Sequence, residues 1–375
     1  MAMRSRQRVW CGRAAAIGLV TVMLGGCAAN APDKASTVDD NALYEGKSSV
    51  TFNNLPIAKT VEDAMEWGDQ ASNLGEIDKA LFLYIQALEL DPKHTEAFYK
   101  IGWLHLRRNS LTKASYAFNS LLAIDDSHIR GHEARGVILL RQNEAERARR
   151  DFMRAMQLDI ERLQPEMANP VVETTKSEQP DAADIDPEQT ATVPPEPSLS
   201  ERLENMTAEA IRQLPYDRKS PAQAYNGLGV IADLAGQHPR AQAFYDLSLA
   251  IVPNDLTTLN NKGYSLYLEN RFGEAQRLFQ RVLKANPQFS QAWRNLGLLY
   301  ARTEHYSDAL TALEQVMDSA EAHNDVGYVC MLAGKYDLAE YYFNQALSIS
   351  PRYYAKAQDN LNQLKRLREK AVSQR

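Results

Sequence analysis

Residues 256–289 read LTTLNNKGYSLYLENRFGEAQRLFQRVLKANPQF, and this stretch decides the fold. Asn270 divides it into two halves. Gly263 lies in the first half, Ala275 and Phe279 stand four apart in the second, and Pro287 closes it. The same residue types return at 34-residue steps. Gly68, Gly102 and Gly136 form one series; Gly229, Gly263 and Gly297 form another, and Gly327 follows 30 residues later. Twelve residues after each Gly stands an Ala: Ala80, Ala114, Ala148, Ala241, Ala275, Ala309 and Ala339. Four further on comes a large apolar residue: Tyr84, Phe118, Phe152, Tyr245, Phe279, Leu313 and Phe343. Pro92, Pro253, Pro287 and Pro351 close four of the units. Self-similarity at such a period is the signature of a stacked repeat architecture.

Each position has a physical reason. Gly and Ala belong where the two antiparallel helices of a unit cross, because a larger side chain would hold the backbones apart. The large residue four after the Ala lies on the same helix face and is expected to fill the space towards the next unit. A left-handed residue commonly ends the first helix. Gly75, Asn109, Asn143, Gly236, Asn270 and Gly334 stand at that point, and Glu304 departs from the pattern. Proline then stops the second helix.

These residues match the motif of the tetratricopeptide-repeat (TPR) family, a helix-turn-helix unit of 34 residues. The resemblance implies an all-α solenoid of about seven repeats in two blocks. The first block holds repeats 61–94, 95–128 and 129–162. The second holds 222–255, 256–289, 290–319 and 320–353. The sixth repeat is four residues short, which predicts a trimmed end to its second helix. A C-terminal capping helix in 354–375 carries Leu361, Leu364 and Leu367 on one side and basic residues on the other, as the open end of a solenoid requires.

The N-terminus is read as targeting sequence. Arg4, Arg6, Arg8 and Arg13 precede the apolar run Ala14–Leu24, too short to span a bilayer, which takes about 20 residues, and laid out like a secretory signal. Leu24-Gly25-Gly26-Cys27 resembles a bacterial lipobox. The resemblance implies cleavage after residue 26 and a lipid on Cys27, the one covalent attachment expected. Ala28 stands where Asp would mark inner-membrane retention, so the expected location is the outer membrane, facing the periplasm. Cys11 leaves with the signal and Cys27 carries lipid, so Cys330 remains as a single thiol and no intramolecular disulfide is expected.

Residues 27–60 read as a lipidated tether. Residues 163–221 read as a linker with a short amphipathic helix, capped at Ser200 and apolar at Leu203, Met206, Ile211 and Leu214. Its 163–200 part holds seven Pro and eight acids against one Lys, a composition that cannot bury enough apolar surface to order itself. The chain carries a formal charge of −6, and removing the signal leaves 38 basic against 48 acidic residues. That balance argues against a phosphate-backbone partner.

Chemistry has no constellation to rest on. No His belongs to a zinc-protease pattern or a Cys/His ligand set, and no metal is expected. His132 and His323 occupy packing positions. Gly227-Leu228-Gly229 begins a partial dinucleotide fingerprint without the strand it needs. Cys330 reads as a small core residue. The expectation is a protein that is not an enzyme, with no cofactor and no small-molecule substrate.

In TPR arrays the first helix of each repeat lines the concave face. The second, fifth, ninth, twelfth and thirteenth repeat positions then supply Asn226, Asn260, Tyr264, Tyr267, Arg294, Arg302, Asn324 and Tyr328 in the second block. The first block supplies Tyr99, Trp103 and Arg107, with Arg130 and Arg141. Asn bonds peptide backbone in both directions, Tyr gives flat contact area and Arg holds carboxylates, so the expected ligand is a segment of another protein.

The segments Ala322-His323-Asn324-Asp325-Val326-Gly327-Tyr328, Met331-Leu332-Ala333-Gly334-Lys335-Tyr336 and Ala339-Glu340-Tyr341-Tyr342-Phe343-Asn344-Gln345-Ala346, with the lipobox, resemble the TadD family of tight-adherence (Flp) pilus assembly lipoproteins. That resemblance implies a scaffold for a pilus or secretion complex, with the secretin as a candidate partner. The acidic insertion at 163–200 departs from it. The alternative is a pilotin-like or general envelope scaffold serving type IV pili, outer-membrane protein assembly or polysaccharide export.

Overall fold

A computed structural model describes residues 57–165, 198–350 and 355–373. The signal, Cys27, nearly all of the tether and most of the acidic insertion lie outside the described residues. Among the described residues there are seventeen α-helices and no strand. Their ends follow the repeat. In the first block, α1 (Val61–Asn73) pairs with α2 (Ile77–Leu90), α3 (Thr95–Arg107) with α4 (Leu111–Ile124), and α5 (Ile129–Arg141) with α6 (Ala145–Leu163). Two short helices, α7 (Leu199–Glu204) and α8 (Ala208–Arg212), precede the second block. There α9 (Ala222–Leu234) pairs with α10 (His238–Ile251), α11 (Leu256–Leu268) with α12 (Phe272–Ala285), α13 (Ser290–Arg302) with α14 (Tyr306–Leu313), and α15 (Ser319–Leu332) with α16 (Tyr336–Ile349). The last helix is α17 (Ala355–Ser373).

Local chemistry sets these boundaries. Thr60, His94, His128, Asp255 and Asp318 cap first helices by accepting a backbone N–H three residues on, which satisfies one of the orphan donors of a helix start. The turn inside each unit takes a left-handed residue. Gly75, Gly236 and Gly334 have φ of 77°, 73° and 75°, and Asn109, Asn143 and Asn270 lie at 58–63°. Glu304 adopts the same conformation at 69°, so the geometry of the turn holds even where the residue type does not favour it. The sixth repeat loses its missing residues from α14, which stops after eight residues where α12 and α16 run to fourteen.

The crossing of each pair is closed by glycine against a large side chain, a ring in six of the repeats and Leu313 in the sixth. A Cβ on Gly68 would lie 2.4 Å from Tyr84, on Gly102 2.7 Å from Phe118, and on Gly263 2.7 Å from Phe279. The large residue therefore packs first on the Gly of its own unit, where the sequence suggested the neighbouring unit. Phe152 does both, since a Cβ on Gly136 would lie 2.5 Å from it and one on Gly227 2.2 Å.

The described residues form two compact units that meet in sequence at Leu228 and Gly229, inside α9. In the first unit, α7 packs on α6, with Leu199 and Leu203 buried. The amphipathic segment before α9 is two helices, not one. Ser198, not Ser200, caps α7 through a capping box with Glu201, and Thr207 caps α8. Arg162 holds Asp217 with two bonds of 2.8 and 2.9 Å. Buried Glu133 of α5 accepts the backbone N–H groups of Gln223 at 2.8 Å and Ala224 at 3.3 Å. A carboxylate from 90 residues away thus serves the start of α9, where negative charge is favoured.

The second unit carries its own core, centred on Leu259, Phe279, Val282 and Leu296 and, further along, Leu313, Val326, Cys330 and Phe343. Asp233 is buried there and accepts bonds from His238, Ser265 and Tyr245 at 2.8, 2.8 and 3.0 Å. The helix α17 covers the last pair. Leu361 and Leu364 are buried, and Arg368 bonds both Glu340 and Asp337. Part of its basic side is thus tied to α16.

Candidate functional site

The first helices of the repeats carry the candidate face, which is described for each unit separately. In the first unit, α1 and α3, with Tyr84 of α2, line an open cleft of about 430 Å³ whose walls include Asp69, Tyr84, Tyr99, Lys100, Trp103 and Arg107. Three of these, Tyr99, Trp103 and Arg107, are the residues that repeat position assigns to the groove. Tyr99 and Trp103 meet edge to face at 6.3 Å, a favourable aromatic geometry. Arg107 is exposed at the rim.

Lys100 and Asp69 were not foreseen. They form the polar floor: Lys100 Nζ donates to Asp69 at 2.6 Å, and the Tyr84 hydroxyl donates to the same carboxylate oxygen at 2.7 Å. Burial pushes the Asp69 carboxyl up, but the bonds from Lys100 and Tyr84 outweigh it and hold it below its usual range. Burial, with the Asp69 carboxylate, pushes the Tyr84 hydroxyl far above its ordinary range. The cleft thus presents an aromatic wall, a fixed ion pair and a free rim guanidinium. Such a lining suits an amphipathic side chain and its flanking backbone. The missed residues had a signal: Tyr84 occupies the crossing position, and a hydroxyl there in place of Phe needs a partner.

Arg130 is exposed and Arg141 half-buried on α5. Asn226 falls in the first unit's share of α9 and is half-buried.

In the second unit the predicted residues divide. Asn260 is 3% exposed and Asn324 is wholly buried. Asn260 accepts from Asn295 of the next first helix at 3.0 Å, and Asn324 accepts from Asn360 of α17 at 2.8 Å. Both amides join alternate helices, α11 to α13 and α15 to α17, where a buried amide needs its bonds. Tyr264 is 4% exposed and stacks on Tyr267 at 5.7 Å. Tyr267, Arg294 and Tyr328 are half-buried, and Arg302 is exposed. Burial raises the Tyr267 hydroxyl, and the nearby Arg302 charge opposes it.

The remaining candidates for chemistry take structural places. His132 is buried between Asp151 at 3.1 Å and the Asp126 carbonyl at 2.9 Å. His323 donates to the Ser319 carbonyl from the same helix at 2.7 Å. Gly227 and Gly229 lie within α9, each against a ring. Cys330 is 1% exposed, and burial pushes its thiol up, the opposite of what a nucleophile needs. Among the described residues no three His, Cys, Asp or Glu side chains are grouped to hold a metal ion. No described helix is long and apolar enough to cross a membrane.

The fold and its exposed face define a repeat protein built from helix pairs. Its helix pairs have the tetratricopeptide-repeat fold: one model of that repeat matches residues 65–129 and 260–318, and another matches 320–353. Neither describes a catalytic domain. No curated protein matches the sequence. Among solved structures, PilF of Pseudomonas aeruginosa is 14% identical with a TM-score of 0.42, over 81% of this chain and 97% of that one. The Cut9–Hcn1 assembly of the APC/C is 15% identical with a TM-score of 0.50, over 82% of this chain and 53% of that one. PilW, a type IV pilus biogenesis factor, is 15% identical with a TM-score of 0.40, over 81% of this chain and 99% of that one. These likenesses are of fold.

Proposed function

We propose that the protein is a non-catalytic scaffold that holds a segment of a partner protein against the first-helix face of its repeats. The observation that carries this reading is the cleft of about 430 Å³ between α1 and α3. It combines an aromatic wall with charged groups at fixed places, as protein-recognition hot spots do. The finer reading adds a lipid on Cys27, an outer-membrane location facing the periplasm, and a role in assembling a tight-adherence (Flp) pilus machine. It is supported by the lipobox-like Leu24-Gly25-Gly26-Cys27 and by the TadD-like stretch from Ala322 to Ala346. The secretin is the proposed partner.

The experiment is a pull-down from detergent-solubilised envelopes with tagged, lipidated protein, read by mass spectrometry. Cys27→Ser and the pair Trp103→Ala/Arg107→Gln are run beside it. Secretin and other pilus components are expected with the parent chain and lost with the cleft pair. Unchanged recovery by the cleft pair removes the groove reading, and enrichment of a different envelope machine removes the pilus reading.

A further inference from the structure

Residues 198–228, which return the chain from the insertion, carry their own local structure. The capping box starts α7 and Thr207 starts α8. Asp217 then folds a turn, its side chain accepting the Lys219 N–H at 2.7 Å while its own N–H donates to Ser220 Oγ at 2.9 Å. What this segment lacks is a core. Leu199, Leu203, Ile211, Leu214, Tyr225 and Leu228 are all buried, yet α7 and α8 have only six and five residues. Helices so short are not stable alone and persist by packing on a neighbour.

The first block is that neighbour at four places. α7 packs on α6, and Arg149 of α6 donates to Glu204 at the end of α7 at 3.0 Å. Arg162, at the other end of α6, bonds wholly buried Asp159 at 2.6 Å and holds both oxygens of Asp217, the forked geometry in which arginine binds a carboxylate most firmly. Glu133 of α5 accepts the N–H groups of Gln223 and Ala224. The Phe152 ring lies against Gly227, where a Cβ would stand 2.2 Å away. Each of these contacts joins α5 or α6 directly to residues 199–227. Pulling the segment away would leave Glu133 as a buried carboxylate without its donors, which is strongly unfavourable. The covalent connection, about thirty residues long, adds proximity worth at most a millimolar effective concentration.

We infer that α5 and α6 form a binding surface for residues 198–228 of this chain, and that they hold this segment without the connection. A chain cut between residues 166 and 197 then stays together as a two-chain protein, and the first unit is whole across the insertion. This does not rest on the reading of the first-helix face as a partner surface.

The test uses the mature chain with the recognition sequence of a site-specific protease placed within 166–197. After complete cutting, the two fragments are expected to elute together from a gel-filtration column and to remain together on dilution to about 1 µM. Leu199→Ala/Leu203→Ala and Glu133→Ala are each expected to weaken the cut form at least about tenfold, while the uncut variants keep the helical circular dichroism of the parent. Glu133→Gln, which keeps an acceptor, and Arg150→Gln, exposed on α6, hold their fragments as the parent does. Fragments that separate or precipitate on cutting overturn the inference. Fragments that stay together but are indifferent to the Leu and Glu133→Ala variants overturn it too, since other contacts then hold them. An uncut chain that elutes at twice its mass, and returns to one mass in Leu199→Ala/Leu203→Ala, assigns the segment to a second copy and overturns closure within one chain.

Discussion

Replacing Gly102 by Ala tests the principle that organises the fold. A Cβ at Gly102 would stand 2.7 Å from Cζ and 2.8 Å from both Cε atoms of Phe118, where ordinary contact begins near 3.4 Å. Phe118 is wholly buried, so its ring has no open space to enter, and α3 and α4 must separate. Overpacking of this kind costs about 1–3 kcal/mol. Against it stands the better helix propensity of Ala, worth about 1 kcal/mol. The expected result is a net loss of about 1–2 kcal/mol, measured by urea unfolding followed by circular dichroism, with hydrogen exchange locating the loss in α3 and α4. Two other glycines calibrate the measurement. Gly273 lies in α12 with nothing within 4 Å, so Gly273→Ala is expected to stabilise by up to about 1 kcal/mol. Gly75 is equally uncrowded but has φ of 77°, so Gly75→Ala is expected to cost about 1 kcal/mol through backbone strain alone. Phe118→Leu should rescue part of the Gly102→Ala defect, with a coupling of at least about 0.5 kcal/mol. If Gly102→Ala proves as stable as Gly273→Ala, close crossing is not what places glycine at these positions.

Three further outcomes follow from single residues. Glu304→Gly relieves a left-handed backbone at a cost in chain entropy and one exposed ion pair with Lys335; the expected balance is a gain of up to about 1 kcal/mol in thermal unfolding. Glu133→Ala strips the two amides at the start of α9 of their acceptor and is expected to cost about 2 kcal/mol, with faster exchange at Gln223 and Ala224; Glu133→Gln, which keeps an acceptor and removes a buried charge, stays within about 0.5 kcal/mol of the parent. The bond to Asp233 raises the pKa of His238 against the opposing effect of burial. Its contribution to stability is therefore full below the unfolded histidine value near 6.5 and lost as pH rises through the raised folded value. A plot of stability against pH should decline across that window and flatten there in His238→Gln.

How far the sequence carries depends on the scale of the constraint. Crossing glycines, alanines, rings and turn residues are fixed by backbone approach and by the sign of φ, which few residue types tolerate. The helix pairs were therefore legible from 68 to 343, and the turns too, Glu304 obeying a geometry its type does not announce. The groove is a weaker constraint, because a position facing inward along a helix lies both on the concave face and against the next first helix. Asn260 and Asn324 satisfy that position by bonding Asn295 and Asn360, and no spacing rule separates that bond from one to a peptide. The amides of the return into α9 were hidden for another reason. Their acceptor, Glu133, sits 90 residues away, in a repeat whose motif positions make no use of it. What repetition specifies is the frame; a contact that departs from it, as Glu133 does at the start of α9, is not announced by the period.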